Sequence, residues 1–353
     1  MDINTEKMNR MLRNVGRVVL EEERKCLERL GRGLTPENCD LRKPDSYYRT
    51  VGDNLWNGAG NEEEKYPHLK RNYDVGSGGE LQDGKSPAKM KSIRSSSAMT
   101  YNMLGNNSIH LTEAGDVFSS GEYLIAYEKK LLTLRRSLQP ANLDAFLYNE
   151  QAEEAIFCEM KMLEWIEKPN PLSDSYLSGR LYFANNGSDT RVADAFLDAI
   201  NRVKAAMGEY GNGSCFYRYD AWQMFKHMLG IYNMTSRVTR EEIAELLDKK
   251  RNTTGGTDIE LLPEMKKATL VNVIFEPPAE LLSKEDRAVF EAFLKLEHTC
   301  FCKFKQAVHD SGIVDVFRED CGIAFDVQYL NTVDFMKYFD LGERRKYLER
   351  YRL

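Results

Sequence analysis

Three residues near the middle of the chain, Asp144, Glu159 and Lys161, have the types and spacing for hydrolytic chemistry at a phosphate. Asp144 lies in an apolar and aromatic run, Leu143–Asn149, while Glu159 and Lys161 lie in a second one, Ala155–Lys161. The acidic tract Glu150, Gln151, Ala152, Glu153 and Glu154 separates them, a pattern that predicts a β-hairpin. Side chains alternate faces along a strand, so Glu159 and Lys161 share a face, as do Asp144, Phe146 and Tyr148. A turn symmetric about Gln151–Ala152 sets residue 144 opposite residue 159. Directly opposed Cβ atoms lie about 4.5–5.5 Å apart. Two carboxylates that close can grip one divalent cation, with an ammonium two residues along the same strand, a set suited to phosphodiester hydrolysis.

Asp144 followed by Glu159-Met160-Lys161, with the acids on adjacent strands, resembles the Asp…(Asp/Glu)-x-Lys signature of the PD-(D/E)XK nuclease superfamily. The longer string AYEKKLLTL…ANLDAFLYN…AIFCEMKMLEW is similar to a bacterial branch of hypothetical and restriction-like nucleases. Acid-x-Lys spacing recurs at Glu63/Lys65 and Asp248/Lys250, but only Glu159/Lys161 closes an apolar strand behind a second acid-bearing strand. Asn142-Leu143 stand where the family's proline would be, and that proline has no chemical role.

The resemblance implies an α/β (α+β) fold with a restriction-endonuclease-like αβββαβ core. A mixed central sheet would be flanked by helices, with helical additions at both ends of the chain. It implies Mg²⁺ (or Mn²⁺) held by Asp144, Glu159 and the Met160 backbone carbonyl, with Glu80 as the nearest further acid, and Lys161 acting on the attacking water. Several branches draw a Gln or Lys from the helix after the sheet, which points to Gln223 and Lys226. Glu164 completes an E-x-K-x-x-E string that the family also shows. The implied partner is nucleic acid, double-stranded DNA first, and a homodimer is compatible with the fold. The competing reading is a catalytically silent nucleic-acid-binding or scaffold protein of the same fold in a defence or mobile-element system. The intact Asp144, Glu159 and Lys161 weigh against it, and the acidic overall charge weighs for it.

The elements that must position these groups are legible in outline. Residues 1–31 carry apolar positions at spacings of three and four, an amphipathic helix ended by Gly31 and Gly33. Turn residues then dominate to about Lys91. Within that stretch Tyr47, Tyr48, Arg49, Asn54, Trp56 and Asn57 suit either a nucleic acid or a small aromatic core. One of Ser95, Ser96 and Ser97 is expected to cap a short helix through Met103, ended by Gly105. Ser96 and Ser97 at that helix start, with Lys91 and Arg94 nearby, can hold a phosphate. Glu122–Arg135 is read as the first strand of a meander, bringing Glu128 towards the site. Helices are expected over Ser188–Met207 and Thr239–Lys250. Between them, Tyr219, Gln223, Lys226 and His227 share a helix face, His227 being read as a structural hydrogen-bonder. Thr269–Phe275 is a buried fourth strand and Ser283–Val308 a long helix capped by Ser283 and Asp286. A short strand, Ile323–Tyr329, and a basic helix, GERRKYLERYRL, close the chain. The organisation is therefore an N-terminal extension over 1–90, a nuclease core over 91–280 and a C-terminal extension over 281–353.

Composition bounds the remaining options. With 353 residues, 42% of them hydrophobic, the chain can bury a substantial core. A formal charge of −6 excludes a histone-like binder, so contact with nucleic acid requires positive charge concentrated locally. Seven scattered cysteines suit a reducing cytoplasm. The charged N-terminus and the lack of an apolar run near 18 residues argue against secretion and membrane spanning. No Walker motif, G-x-S-x-G or paired Cys/His nucleophile signature is present.

Overall fold

The tract between the two central apolar runs folds as a tight turn. Its strands pair antiparallel from Asn149 with Glu154 through Ala145 with Cys158. Around this hairpin the computed structural model describes residues 5–58, 69, 73, 79–112, 117–135, 140–166, 172–185, 189–211, 219–254 and 259–352. Six strands form one mixed sheet: β1 (Ser108–Leu111), β2 (Gly121–Leu131), β3 (Ala141–Asn149), β4 (Glu154–Lys161), β5 (Lys267–Ile274) and β6 (Ala324–Asn331). They lie in chain order. β1 to β4 are antiparallel neighbours, and β5 and β6 continue the sheet in parallel with β4. β4 and β5 are buried along almost their whole length, as strands covered on both faces must be.

Helices cover both faces. On one face lie α1 (Thr5–Arg29) and α2 (Ser96–Leu104), whose apolar residues join Ile156, Cys158, Met160 and Val271 in one core. On the other lie α3 (Arg191–Gly211), α4 (Ala221–Thr235) and α5 (Arg240–Thr254), packed over Phe157, Ala268 and Leu270. The long α6 (Lys284–Asp310) carries Phe290 and Phe293 in the first core and Cys300 and Phe304 in the second, so one helix ties both layers together. Short helices α7 (Ile313–Val316) and α8 (Thr332–Met336) flank β6.

Local chemistry explains the helix ends. Ser95 caps α2 by accepting from the Ala98 amide, and Ser283 caps α6 by accepting from that of Asp286. Gly105, at φ 92, closes α2 where a Cβ would lie 2.9 Å from the Arg344 guanidinium. The sheet is wider than the four-stranded core expected: β1, which was not anticipated, precedes the meander, and the short strand expected over Ile323–Tyr329 joins the sheet as β6. β6 belongs to the segment 281–353, so the sheet continues through the boundary drawn at residue 280. The terminal basic segment is a run of 3₁₀ turns, Gly342–Tyr351, and its arginines do not all face solvent. Arg350 is fully buried and meets Glu23 at 3.3 Å, Asn54 Oδ1 at 3.0 Å and the Ile93 carbonyl at 2.7 Å. Tyr48 and Asn54 are buried in the same region, whereas Tyr47 stays half-buried. No helix among the described residues is long and apolar enough to cross a membrane.

Candidate active site

The hairpin register fixes which acids meet. One step beyond the last ladder pair, Ala145 with Cys158, stands Asp144 opposite Glu159. The neighbouring register adds a third carboxylate. β2 pairs with β3 through Tyr127 with Ala145 and resumes at Lys129 with Leu143, so the skipped position sets Glu128 beside Asp144. Glu128 has φ 48, left-handed backbone that an L side chain adopts at a cost of about 1–2 kcal/mol. The distortion reverses which way the strands face. Tyr123, Tyr127, Ala145 and Leu147 enter the α1 and α2 core, whereas Leu131 and Leu143 enter the opposite one. In this gap the Asp144 carboxylate takes over a backbone role, its Oδ2 accepting from the Met160 amide at 2.6 Å.

Glu159, only 2% exposed, is the most heavily bonded group of the set. Its Oε1 accepts from Lys161 Nζ at 2.6 Å and from Gln223 Nε2 at 2.6 Å, and its Oε2 lies 2.8 Å from His227 Nε2. Lys161 Nζ also donates to Gln223 Oε1 at 3.0 Å. Gln223 and His227 lie one turn apart on α4, so both point at the sheet. The helix starts where it does because Asp220 accepts from the Gln223 amide. Gly230 lets α4 lie flush on β2, since a Cβ there would come within 2.6 Å of Leu131 Cβ.

The electrostatics split the two central acids. Burial lifts Asp144 well above the usual carboxylate range, and the charges of Glu159 and Glu128 push the same way against Lys161. Burial also acts on Glu159, but Lys161 and then His227 outweigh it and hold that carboxyl at about 2. Burial first, then Glu80 and Glu159, lift Glu128 to about 7. Lys161 is raised, because Glu159 and Asp144 outweigh its own burial. The surroundings thus push the two acids in opposite directions, Asp144 towards its protonated form and Glu159 towards its ionised one, a separation typical of paired acid and base groups.

Glu80 belongs to the same electrostatic group, since its charge acts on Glu128. Its own oxygens are held by Lys89 at 3.1 Å and Ser97 Oγ at 2.8 Å. Ser97 is thereby engaged, and the Ser96 carbonyl accepts from Thr100 within α2. Lys91 is buried against Asp83 at 2.8 Å and Asp40 at 3.9 Å, and Arg94 bonds the Gly16 carbonyl at 3.3 Å. The basic stretch before α2 is thus largely compensated within the chain. Lys226 is half-buried on α4, and its charge opposes the burial that raises Asp220. Glu164 caps the turn after β4, accepting from the amides of Met162 and Leu163. The structure therefore brings together Asp144, Glu159, Lys161, Gln223 and Glu128, with Glu80 behind them. Met160 joins through its amide.

His227 holds Glu159 directly, more than its reading as a structural hydrogen-bonder gave it. The signal in the sequence was its spacing of four from Gln223. Asn272, the β5 register partner of Glu159, extends the row of polar groups, and its Oδ1 has no hydrogen-bond partner among the described residues.

The donor set suits a hard divalent cation. Three carboxylates sit on adjacent strands, and two of them, Asp144 and Glu128, resist ionisation first because they are buried and then because the other carboxylates repel a second charge. Among the described residues no three His, Cys, Asp or Glu side chains already surround a common point. A Mg²⁺ site needs only one or two carboxylates, because the ion retains several waters. Comparison with protein-family models, curated proteins and solved structures finds no match to this chain.

Proposed function

We propose that the protein is a metal-dependent nuclease of the PD-(D/E)XK type, hydrolysing phosphodiester bonds, with DNA as the first substrate to test. The observation that carries this reading is the meeting of Asp144 and Glu159 across β3 and β4 with the Lys161 ammonium 2.6 Å from Glu159. The element order supports it. α2, the antiparallel meander β2–β3–β4, α4 on the crossover and the parallel strand β5 follow the αβββαβ sequence of that superfamily.

In this reading Asp144, Glu159 and the Met160 carbonyl would hold Mg²⁺ or Mn²⁺. When bound, the ion supplies a Lewis acid that lowers the pKa of a water and neutralises charge on phosphate oxygens. The chain's own residues do the rest. Glu159 is ionised in advance, because Lys161 and His227 hold it at about 2. A bound cation would favour the ionised form of Asp144, opposing the burial that raises it. Lys161, 21% exposed, keeps its charge and presents it at the edge of the site, where it steadies a phosphate oxygen or the attacking water. Gln223 bridges Glu159 and Lys161 and fixes their separation. Glu128 and Glu80 add negative field that favours the cation.

One observation favours the silent scaffold as a second reading: both oxygens of Glu159 already have protein partners. Incubation of plasmid and linear DNA with and without Mg²⁺ or Mn²⁺, beside Lys161→Ala, separates the two. The nuclease cuts only with metal, and the variant loses cutting while keeping its fold. Wild-type cutting by Lys161→Ala, or a wild-type protein that neither cuts nor binds Mg²⁺ when titrated with it, would defeat the proposal.

A further inference from the structure

A cleft of about 570 Å³ opens between α1, the turn at Lys43–Tyr47 and the turn that leaves β4, lined among others by Arg13, Lys43, Tyr47, Arg94 and Glu164. Arg13 and Lys43 are exposed, and Tyr47 and Arg94 half-buried. Among the described residues none of these three cations forms an ion pair with a carboxylate. Arg94 bonds a backbone carbonyl and its charge reaches the buried Glu23, and the Lys43 ammonium lies 4.6 Å from the centre of the Tyr47 ring. Lys89 and Lys91, close to Arg94 in sequence, are by contrast paired with Glu80 and Asp83. Three cations, none ion-paired to a carboxylate among the described residues, therefore gather in this cleft, on a chain whose formal charge is −6. Such an arrangement gives the cleft a local positive potential that attracts an anion from outside.

The cleft also adjoins the candidate active site. Glu164, its acidic lining residue, is among the charges that act on Lys161, and it lies three residues beyond it on the turn. Its Oε2 is occupied by two backbone amides, which offsets part of its repulsion of a bound anion. Arg13, Lys43 and Arg94 supply point and forked donors for phosphate oxygens, Asn9, Ser46 and Ser92 supply polar lining, and the Tyr47 ring offers a face for a base.

We infer that this cleft seats the phosphodiester backbone of a nucleic acid a few nucleotides from the bond presented to Lys161, an assignment that rests on the nuclease reading for the position of that bond. The affinity it contributes is sequence-independent and salt-dependent, with each phosphate contact worth about tenfold in affinity near 0.1 M salt.

The test is fluorescence anisotropy of a labelled DNA duplex, and of one of its strands, in EDTA across a salt series, so that binding is read without cleavage. Wild type is compared with Arg13→Glu, Lys43→Glu and the equal charge change Lys204→Glu on α3, in the opposite helical layer. Arg13 and Lys43 are exposed, and circular dichroism checks that each variant keeps its fold. Arg13→Glu and Lys43→Glu should each weaken binding about tenfold and lower the salt slope by about one, and Lys204→Glu should do neither. Equal losses from all three variants, unchanged affinity in the two cleft variants, or no wild-type binding at low salt would each overturn the assignment. A wild-type protein that binds through Arg13 and Lys43 yet never cuts defeats the nuclease reading and leaves the cleft as a nucleic-acid site. One that cuts while its cleft variants bind normally removes the cleft alone.

Discussion

Replacing Glu128 by Gln should stabilise the protein at neutral and alkaline pH and flatten its pH dependence. The side chain is 9% exposed, and burial with the charges of Glu80 and Glu159 raises its carboxyl from an ordinary 4.5 to about 7. An acid whose pKa is higher in the folded state than in the unfolded one binds its proton more tightly when folded. Below about pH 4.5 both states are protonated and the group has no charge-dependent effect. As pH rises towards 7 the unfolded chain ionises freely while the folded one resists, and stability falls. A rise from 4.5 to about 7 corresponds to about 3 kcal/mol, fully expressed above pH 7. Glutamine keeps the shape and the left-handed backbone at residue 128, so any packing change enters as a constant offset and the pH slope isolates the charge. Urea denaturation of both proteins from pH 4 to 8 should give a stability difference that grows by about 3 kcal/mol in favour of the variant. A difference that stays level across that range would refute the placement of Glu128 in a buried acidic group and, with it, the electrostatic basis of the site.

Two further outcomes follow from packing. Gly230→Ala should lose about 1–3 kcal/mol despite the better helix propensity of alanine, because its Cβ would press within 2.6 Å of Leu131 and push α4 off the sheet. Gln223 and His227 move with that helix, so a denaturation midpoint at or above the wild-type value would show that the contact yields freely. Arg350→Met strands Glu23, which burial already lifts to about 7, and should destabilise by about 3–5 kcal/mol at pH 8. The loss should be smaller at pH 5, where Glu23 can take up a proton, and the double variant with Glu23→Leu should recover most of it. Equal losses at both pH values would contradict the buried pair.

Much of the architecture was legible because its determinants are local. Alternating apolar residues and a symmetric polar turn specify the β3–β4 register, which is why residue 144 could be set opposite 159 from spacing alone. Serine caps, glycine stops and periodic apolar stripes marked α1, α2, α4 and α6 for the same reason. Other features depend on groups distant in the chain, and only the tertiary structure decided them. Nothing in the string around Glu128 signals a left-handed residue, because the distortion is imposed by the strands on either side. Lys91 reads as a free cation until Asp83 and Asp40 fold against it, and the terminal Arg350 reads as solvated until Glu23, 327 residues away, meets it in the core. His227 gained its place at Glu159 only when α4 crossed the sheet. Period and capping act over a few residues of backbone, whereas the partner of a charge is chosen by whichever elements the core brings together.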